Sequence, residues 1–159
     1  MRILLQRVKC ASVSVEEEII GSISKGYVLL LGTCEGDTEA EAAYLAQKVV
    51  QLRVFEDDDE KMNRSLLDIC GEVLVVSQFT LYASCKKGRR PSFVKAQNPQ
   101  EAIGLYNYFI EELKRLGVSN VQSGSFGAHM LVSINNDGPV TIMLDTAEIM
   151  PTQQWEDKQ

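Results

Sequence analysis

Few side chains in this sequence of 159 residues are suited to acid–base or nucleophilic chemistry. His129 is the single histidine, and it stands in SGSFGAHM, at the start of a predicted strand. A serine or threonine nucleophile normally needs a base within hydrogen-bond reach. An isolated histidine at a strand start is more often a packed or surface residue than a catalytic one, so a catalytic triad has little support.

A polar interruption in an apolar strand is the second candidate for chemistry. In VLVVSQFTLYA, Ser77, Gln78 and Thr80 enter or end a run of apolar residues. Alternation along a strand would place Ser77 and Phe79 on one face, and Gln78 and Thr80 on the other. These residues either have a chemical role or mark a strand that emerges at a sheet edge, where threonine suits the extended backbone. The residues alone favour the second interpretation.

Metal and cofactor sites lack their usual signatures. The four cysteines, Cys10, Cys34, Cys70 and Cys85, are scattered without CxxC spacing, and a single histidine accompanies them. Zinc sites and disulfide frameworks need more ligands or more regular spacing. No GxGxxG motif follows a strand, which argues against dinucleotide binding. We therefore expect no metal, no cofactor, and reduced thiols that are mostly buried.

Charge is unevenly distributed along the chain. A formal net charge of -6 argues against a protein that coats nucleic acid through overall attraction. The segment KKGRRPSFVK nevertheless contains five of the sixteen basic residues, including Lys86, Lys87, Arg89 and Arg90. The glycine and proline beside them predict an exposed loop, which is either simply solvated or contacts phosphate groups. The acidic run EDDDE is interpreted as a solvated loop only.

Length and hydropathy bound the class of protein. One domain is expected, since domains commonly contain ~100 to 200 residues. The apolar run near the start has three residues, too short for a signal-peptide core, and no run approaches the ~18 residues of a membrane span. These patterns predict a soluble, cytoplasmic protein that has no membrane partner.

Two segments carry the start and stop signals of helices. Thr38 and Glu41 form a predicted capping box before apolar residues that recur with helical spacing. A second helix is predicted to begin after Asn98, with Glu101 completing a capping box, and to end at Gly117.

Several apolar segments predict strands around these helices. YVLLLGTC is typical of a fully buried strand and GEVLVVSQFTLYA of a central one, and residues 118–121, 129–134 and 140–144 supply the last strands. Two long helices among many unevenly spaced strands predict an α+β fold with an antiparallel or mixed curled sheet. The polar residues at the end of the chain are expected to form a mobile tail.

The segment SINNDGPVTIML, residues 133–144, predicts a tight β-hairpin. Asn, Asp and Gly tolerate the positive φ angles that such turns require. Pro139 then opens the predicted return strand, where it removes a backbone donor from the ladder. Hairpin geometry alone does not explain this proline.

Two motifs together resemble the paired signatures of the D-aminoacyl-tRNA deacylase family. They are SQFTL, residues 77–81, and NDGPVT, residues 136–141, and the separation between them matches that in the family. The resemblance covers residues 1–146 as one domain and leaves residues 147–159 as a polar C-terminal tail. It implies a single-domain, β-barrel-like α+β unit with two main helices, which forms a homodimer with active sites at the subunit interface.

The resemblance implies a hydrolase that uses no cofactor. Its partner would be aminoacyl-tRNA, and it would cleave the ester between a D-amino acid, or achiral glycine, and the 3′-terminal adenosine. The implied Gly138-Pro139 peptide bond is cis, and the dipeptide would reach into the active site of the second subunit, where its rigid main chain excludes L-amino acids. Arg7, in the matching QRV, would hold this turn. Without the resemblance Arg7 would be taken for a surface residue.

The resemblance also assigns the chemistry to the SQFT segment. Ser77, Gln78, Phe79 and Thr80 would form the catalytic strand end, with the amides of Phe79 and Thr80 as an oxyanion hole. Activation would come from the 2′-hydroxyl of the RNA substrate, whereas the competing assignment makes Thr80 a covalent nucleophile.

Further residues would bind the tRNA. Phe126 and Met130 would line the pocket of the terminal adenosine, although a role in the core is almost equally consistent with their types. The basic loop would contact tRNA phosphates. A non-catalytic tRNA- or RNA-binding module with an editing-domain-like fold is the alternative function, because one fold can carry several functions.

Overall fold

The computed structural model describes residues 1–151 of the chain. Its strands are β1 (Arg2–Val15), β2 (Glu18–Ile23), β3 (Gly26–Gly32), β4 (Phe55–Glu56), β5 (Met62–Arg64), β6 (Glu72–Ser77), β7 (Val121–Ser123) and β8 (Leu131–Asp145). Its helices are α1 (Glu39–Gln51), α2 (Pro99–Arg115) and α3 (Thr146–Ile149), and a short 3-10 helix (Phe79–Tyr82) follows β6.

Six strands form one mixed, curled sheet in the order β2-β1-β3-β6-β7, with β8 on the free side of β1. The first half of β1 pairs with β3 and its second half with β2, while β8 runs antiparallel along β1. The outer strands β2 and β7 approach each other, because a Cβ on Gly21 would lie 3.2 Å from the carbonyl oxygen of Ser123. The predicted α+β fold with a barrel-like curled sheet is confirmed.

Apolar side chains pack on both faces of the sheet. Strand alternation turns Leu29 and Val75 towards α1 and α2, and turns Val28, Leu74 and Val76 into the interior of the curled sheet. All five side chains are buried. Strand β6 is thus held on both faces, which fixes the position of its C-terminal end.

The two long helices begin and end close to the predicted positions. Thr38 and Glu41 form the predicted capping box of α1. The side chain of Asn98 caps α2 by accepting from the amide of Glu101, but the carboxylate of Glu101 accepts from a glutamine side chain rather than completing a box. Gly117, at φ +102°, follows the end of α2. No helix within residues 1–151 has the length and apolarity needed to cross a membrane.

The predicted strand GEVLVVSQFTLYA is wrong beyond Ser77. The amide of Gln78 makes a last sheet-like bond to the Leu31 carbonyl oxygen, at 2.7 Å. The chain then tightens into 3-10 geometry, since Ala83 donates to the carbonyl oxygen of Thr80 at 3.0 Å. Strand alternation therefore does not govern the side chains that follow Ser77.

The predicted hairpin at NNDGP is also wrong. Val8 pairs with Asn136 and Gln6 pairs with Thr141, so both flanking segments run in the same direction along β1. The residues between them form a bulge in β8. The Asn136 side-chain amide stabilises this bulge by donating to the carbonyl oxygen of Arg7 at 2.9 Å. Because the chain continues in the same direction after the bulge, there is no return strand, and Pro139 does not interrupt one.

The ordered fold continues past residue 146. Helix α3 packs beside α1, where the Tyr44 hydroxyl donates to the Ile149 carbonyl oxygen at 2.6 Å. The rest of the predicted tail, from residue 152, lies outside the described residues.

The prediction of mostly buried thiols is wrong. Cys10, Cys70 and Cys85 are exposed and Cys34 is half-buried, and all four are free. Cys70 lies in a turn at φ +51° and Cys85 in the basic loop. Turns and loops lie at the surface, which overrides the usual tendency of cysteine to be buried.

Candidate active site

A cleft of about 650 Å³ opens where β6 ends, beside the start of α2 and the segment before β8. It brings together Ser77, Gln78, Phe79, Phe126 and Met130, which the sequence selected from two distant motifs. The end of β6 and the 3-10 turn after it supply the first group, and the loop before β8 supplies the second. The cleft therefore joins the proposed catalytic strand end to the proposed adenosine pocket.

Two backbone amides just after β6 have no acceptor among the described residues. The amides of Phe79 and Thr80 follow the last sheet-like bond, and neither donates to an acceptor within residues 1–151. The first amides of a helical turn have no partner inside that turn. Adjacent free N–H groups at the edge of a cleft are suited to hold a developing oxyanion.

The Thr80 hydroxyl is exposed and lies outside the wall of the cleft. It accepts a hydrogen bond from the side-chain amide of Gln78. An amide nitrogen of this kind donates but cannot take up a proton. The hydrogen-bond partner of Thr80 therefore supplies no base for a nucleophilic hydroxyl.

His129 and Tyr106 are the titratable side chains on the cleft wall. His129 is exposed, and no hydrogen bond within the described chain orients its ring. The Tyr106 hydroxyl donates to the Val75 carbonyl oxygen at 2.8 Å, and burial raises the pKa of Tyr106 to about 12. Its ring packs 5.7 Å from that of Phe126. Tyr106 thus stays neutral and supports the wall of the cleft.

Gly138 and Pro139 lie outside the cleft of their own chain. Both are exposed, neither pairs with β1, and the peptide bond between them is cis, as the resemblance implied. Gly138 has φ +118°, and a Cβ there would lie 2.9 Å from a methyl group of Val140. Only glycine fits this backbone without strain. The dipeptide is an exposed main-chain projection from the middle of β8.

Arg7 lies beneath this projection and is only 5% exposed. Its guanidinium donates to the carbonyl oxygens of Val54 at 2.7 Å and Asp137 at 3.2 Å. The carboxylates of Asp137 and Glu56 lie 3.5 and 3.8 Å from it. Removing Arg7 would take this donor away from the buried Val54 carbonyl oxygen, at a cost of about 1–3 kcal/mol if the oxygen is left without a partner. Sequence patterns alone suggested a surface arginine, because none of these partners is near Arg7 in the chain.

The basic loop is open to solvent. Lys86, Lys87, Arg89 and Arg90 are all exposed, and none makes an ion pair within residues 1–151. Reciprocal backbone bonds of 2.8 and 2.9 Å between the serines at positions 84 and 92 close the base of the loop. Its positive charge is therefore available to a partner.

Phe93 is a cleft residue that the sequence patterns did not select. Its ring meets that of Phe79 edge-on, with centroids 5.0 Å apart and planes at 67°. Both rings line the cleft. The signal available in the sequence was an aromatic residue within the basic segment KKGRRPSFVK, a combination typical of surfaces that bind single-stranded nucleic acid.

Metal-ligating side chains do not cluster in the part of the chain that the structure describes. No group of three or more His, Cys, Asp or Glu residues there is placed to hold an ion.

Comparison with known proteins agrees with this arrangement. The sequence profile of the family described as D-Tyr-tRNA(Tyr) deacylase matches residues 4–145. The chain belongs to this family. The prediction made from SQFTL and NDGPVT is confirmed, and with it the assignment to the hydrolases of aminoacyl-tRNA esters.

Individual relatives match over almost their whole length. The D-aminoacyl-tRNA deacylase of Clostridium tetani (strain Massachusetts / E88) is 54% identical over 149 residues, which cover 94% of this chain and 99% of the relative. The protein of the same name from Clostridium botulinum (strain Loch Maree / Type A3) is 55% identical over 146 residues, covering 92% and 97%.

Two solved structures share the fold. One, titled c-Myc DNA Unwinding Element Binding Protein, is 43% identical with a TM-score of 0.86 and covers 91% of this chain and 98% of its own. The other, a probable eukaryotic D-amino acid tRNA deacylase, is 17% identical with a TM-score of 0.78 and covers 90% and 97%.

Proposed function

We propose that this protein hydrolyses the ester between a D-amino acid and the 3′-terminal adenosine of tRNA, and so removes D-amino acids before translation uses them. The observation that carries the proposal is the pair of free amides at Phe79 and Thr80, at the edge of the cleft in a chain of this family. Glycine attached to tRNA is accepted too, because it has no side chain to exclude. The protein acts in the cytoplasm, where charged tRNA is used.

The reaction needs a water molecule and a place for negative charge. Water adds to the ester carbonyl carbon, and the carbonyl oxygen becomes an oxyanion that accepts from the amides of Phe79 and Thr80. The bond to the 3′-oxygen then breaks, one proton of the water ends on that oxygen, and the amino acid leaves with a carboxyl group. An oxyanion-hole donor contributes about 3–4 kcal/mol to transition-state stabilisation.

The substrate itself supplies the proton-transfer group. Tyr106 is held neutral, and the hydroxyl of Thr80 is bonded to an amide. The 2′-hydroxyl of the terminal adenosine is adjacent to the ester in every aminoacyl-tRNA. It orients or activates the water and shuttles the proton to the leaving oxygen, so the protein needs no general base of its own.

Chirality is read by a second copy of the chain. In a homodimer, Gly138 and Pro139 of one subunit enter the cleft of the other and accept hydrogen bonds from the substrate amino group. They fill the space that an L side chain would occupy and leave the D side chain free. Backbone atoms recognise no particular side chain, so the discrimination is by exclusion and the range of D-amino acids is broad.

The unpaired edge of β8 supports this assembly. Strand β8 has 15 residues and pairs along one side with β1, while its other side has no strand partner within residues 1–151. Leu131 and Met143 on it are 70% and 49% exposed. Long exposed edges with apolar side chains are unfavourable in an isolated chain and favour pairing with another copy.

The basic loop binds the tRNA backbone. Replacing Arg89 and Arg90 together with alanine is expected to weaken tRNA binding and to flatten the dependence of log Kd on log salt by about 0.7–0.9 per lost phosphate contact. Titrations at several salt concentrations measure both. A double variant with Lys48→Ala and Lys61→Ala, which removes two exposed charges elsewhere, is the control. An unchanged salt slope for the loop variant would remove this loop from the tRNA interface.

A nucleic-acid-binding module without catalysis is the second candidate, because one structural relative is named for DNA binding. The hydrolase and the binding module differ in whether they release a free amino acid from charged tRNA. Incubation of the purified protein with D-tyrosyl-tRNA is expected to release free D-tyrosine and leave tRNA with an intact terminal adenosine. Stable binding of the charged tRNA without release would favour the binding module.

A further inference from the structure

We infer that Phe93, together with Phe79, forms a stacking platform for the base of the penultimate tRNA nucleotide. This inference rests on the proposed function, since it extends the path of the tRNA 3′ end outward from the ester. It assigns a binding role to a residue outside the two signature motifs.

The position of the pair at the cleft supports a stacking role. The two rings line the cleft and remain 56% exposed at Phe79 and 38% exposed at Phe93. Phe93 belongs to neither buried apolar cluster, so its ring is not required to fill the core. An edge-to-face pair uses only the edge of one ring and leaves the faces of that ring available to a ligand.

The neighbours of the aromatic pair indicate which base meets the platform. The free amides of Phe79 and Thr80 mark the ester carbonyl, and Phe126 marks the proposed adenosine pocket inside the cleft. Phe93 follows directly on Ser92, which closes the base of the basic loop. The platform therefore shares the cleft with the proposed adenosine pocket and adjoins the base of the basic loop. A single strand that leaves the cleft places its next base there and its phosphates on the loop.

The chemistry of the platform fits an unpaired base. Stacking on an aromatic side chain contributes about 1–3 kcal/mol per base and tolerates any base, which corresponds to about 5- to 150-fold in binding. Stacking sites of this kind are usually accompanied by positive charges that contact the nucleic-acid backbone, and the neighbouring basic loop supplies these charges. One ligand, the single-stranded 3′ end, thus explains why an exposed aromatic pair lies beside exposed basic side chains that make no ion pair within residues 1–151.

The test asks whether the effect of changing Phe93 on tRNA binding depends on the presence of the penultimate base. Binding of uncharged tRNA is measured at fixed salt for the wild type, Phe93→Ala, Phe93→Leu and Phe93→Trp, each with normal tRNA and with tRNA that lacks the penultimate base. Leucine keeps the apolar volume without an aromatic face, and tryptophan restores a face. Val94→Ala is the matched control, because Val94 is the next residue, is 85% exposed and does not line the cleft.

We expect the wild type and Phe93→Trp to bind normal tRNA at least about 5-fold more tightly than the abasic tRNA. Phe93→Ala and Phe93→Leu should bind both tRNAs equally weakly, and Val94→Ala should match the wild type. Equal binding of both tRNAs by the wild type, or a Phe93 effect that persists unchanged on abasic tRNA, would overturn the inference. Release of D-tyrosine by the wild type is read separately, so failure of the hydrolase proposal is distinguished from failure of the platform.

Discussion

D-tyrosyl-tRNA that ends in 2′-deoxyadenosine is expected to be hydrolysed at least about 100-fold more slowly than the normal substrate, because proton transfer by a positioned group contributes ~10²–10⁴ to a rate. The Thr80→Ala variant, in contrast, is expected to keep most of the wild-type rate. The difference arises because the reaction uses the amide of Thr80, which alanine retains, and the hydroxyl of the substrate. Single-turnover release of labelled D-tyrosine measures both rates.

The 2′-deoxy substrate tests the role of the substrate hydroxyl, and the Thr80→Ala variant tests the role of the Thr80 hydroxyl. Among the described residues, the one hydrogen-bond partner of the Thr80 hydroxyl is the Gln78 side chain, so its removal breaks a single hydrogen bond. His129→Ala is a useful third arm, since His129 is the single histidine of the chain and is an exposed residue on the cleft wall. Complete loss of activity with Thr80→Ala, or isolation of an aminoacyl ester on the enzyme, would restore the nucleophile assignment.

Replacing Gly138 with alanine is expected to reduce discrimination between D and L substrates by about 10- to 100-fold, the range in which small steric changes alter substrate choice. The new Cβ would lie 2.9 Å from a Val140 methyl group and 3.1 Å from a guanidinium nitrogen of Arg7, at φ +118°. Arg7 cannot retreat easily, because it is buried and bonded to Val54. The projection must therefore move, and the excluded volume and the amino-group contacts move with it.

A second glycine provides the matched control. Gly104 lies within α2, and a Cβ there would meet no atom within 4 Å. Alanine in a helix interior is more favourable than glycine by about 1 kcal/mol, so Gly104→Ala should leave both rates unchanged. The measurement is the ratio of D- to L-tyrosine release for each variant, with the dimer checked by light scattering. A Gly138→Ala dimer with wild-type rate and selectivity would exclude the projection from substrate recognition.

Signals that act within a few residues predicted the helices correctly. Thr38 with Glu41, and Asn98 at the start of α2, cap the helix turns directly after them, so no distant contact was needed to recognise them. The central strand was equally clear, since the residues of β6 are apolar on both faces. Local chemistry therefore sufficed wherever the partner of a residue lies nearby in the chain.

Distant partners explain what the sequence patterns missed. The segment around Asn136 has the residues of a hairpin turn, but its register is decided by pairing with Gln6 and Val8, more than a hundred residues away. The burial of Arg7 depends on the carbonyl oxygens of Val54 and Asp137 in the same way. The site roles came from the family resemblance, because free amides at a strand end leave no pattern in residue types.

The most direct test of the central claim is to compare the single-turnover release of D-tyrosine and of L-tyrosine from the same tRNA by the wild-type protein. We predict that D-tyrosine is released at least about 100-fold faster, the ratio expected when an L side chain meets a fixed obstacle rather than a weaker contact. Equal rates for the two stereoisomers would contradict chiral discrimination, and tight tRNA binding without release of either would contradict hydrolysis.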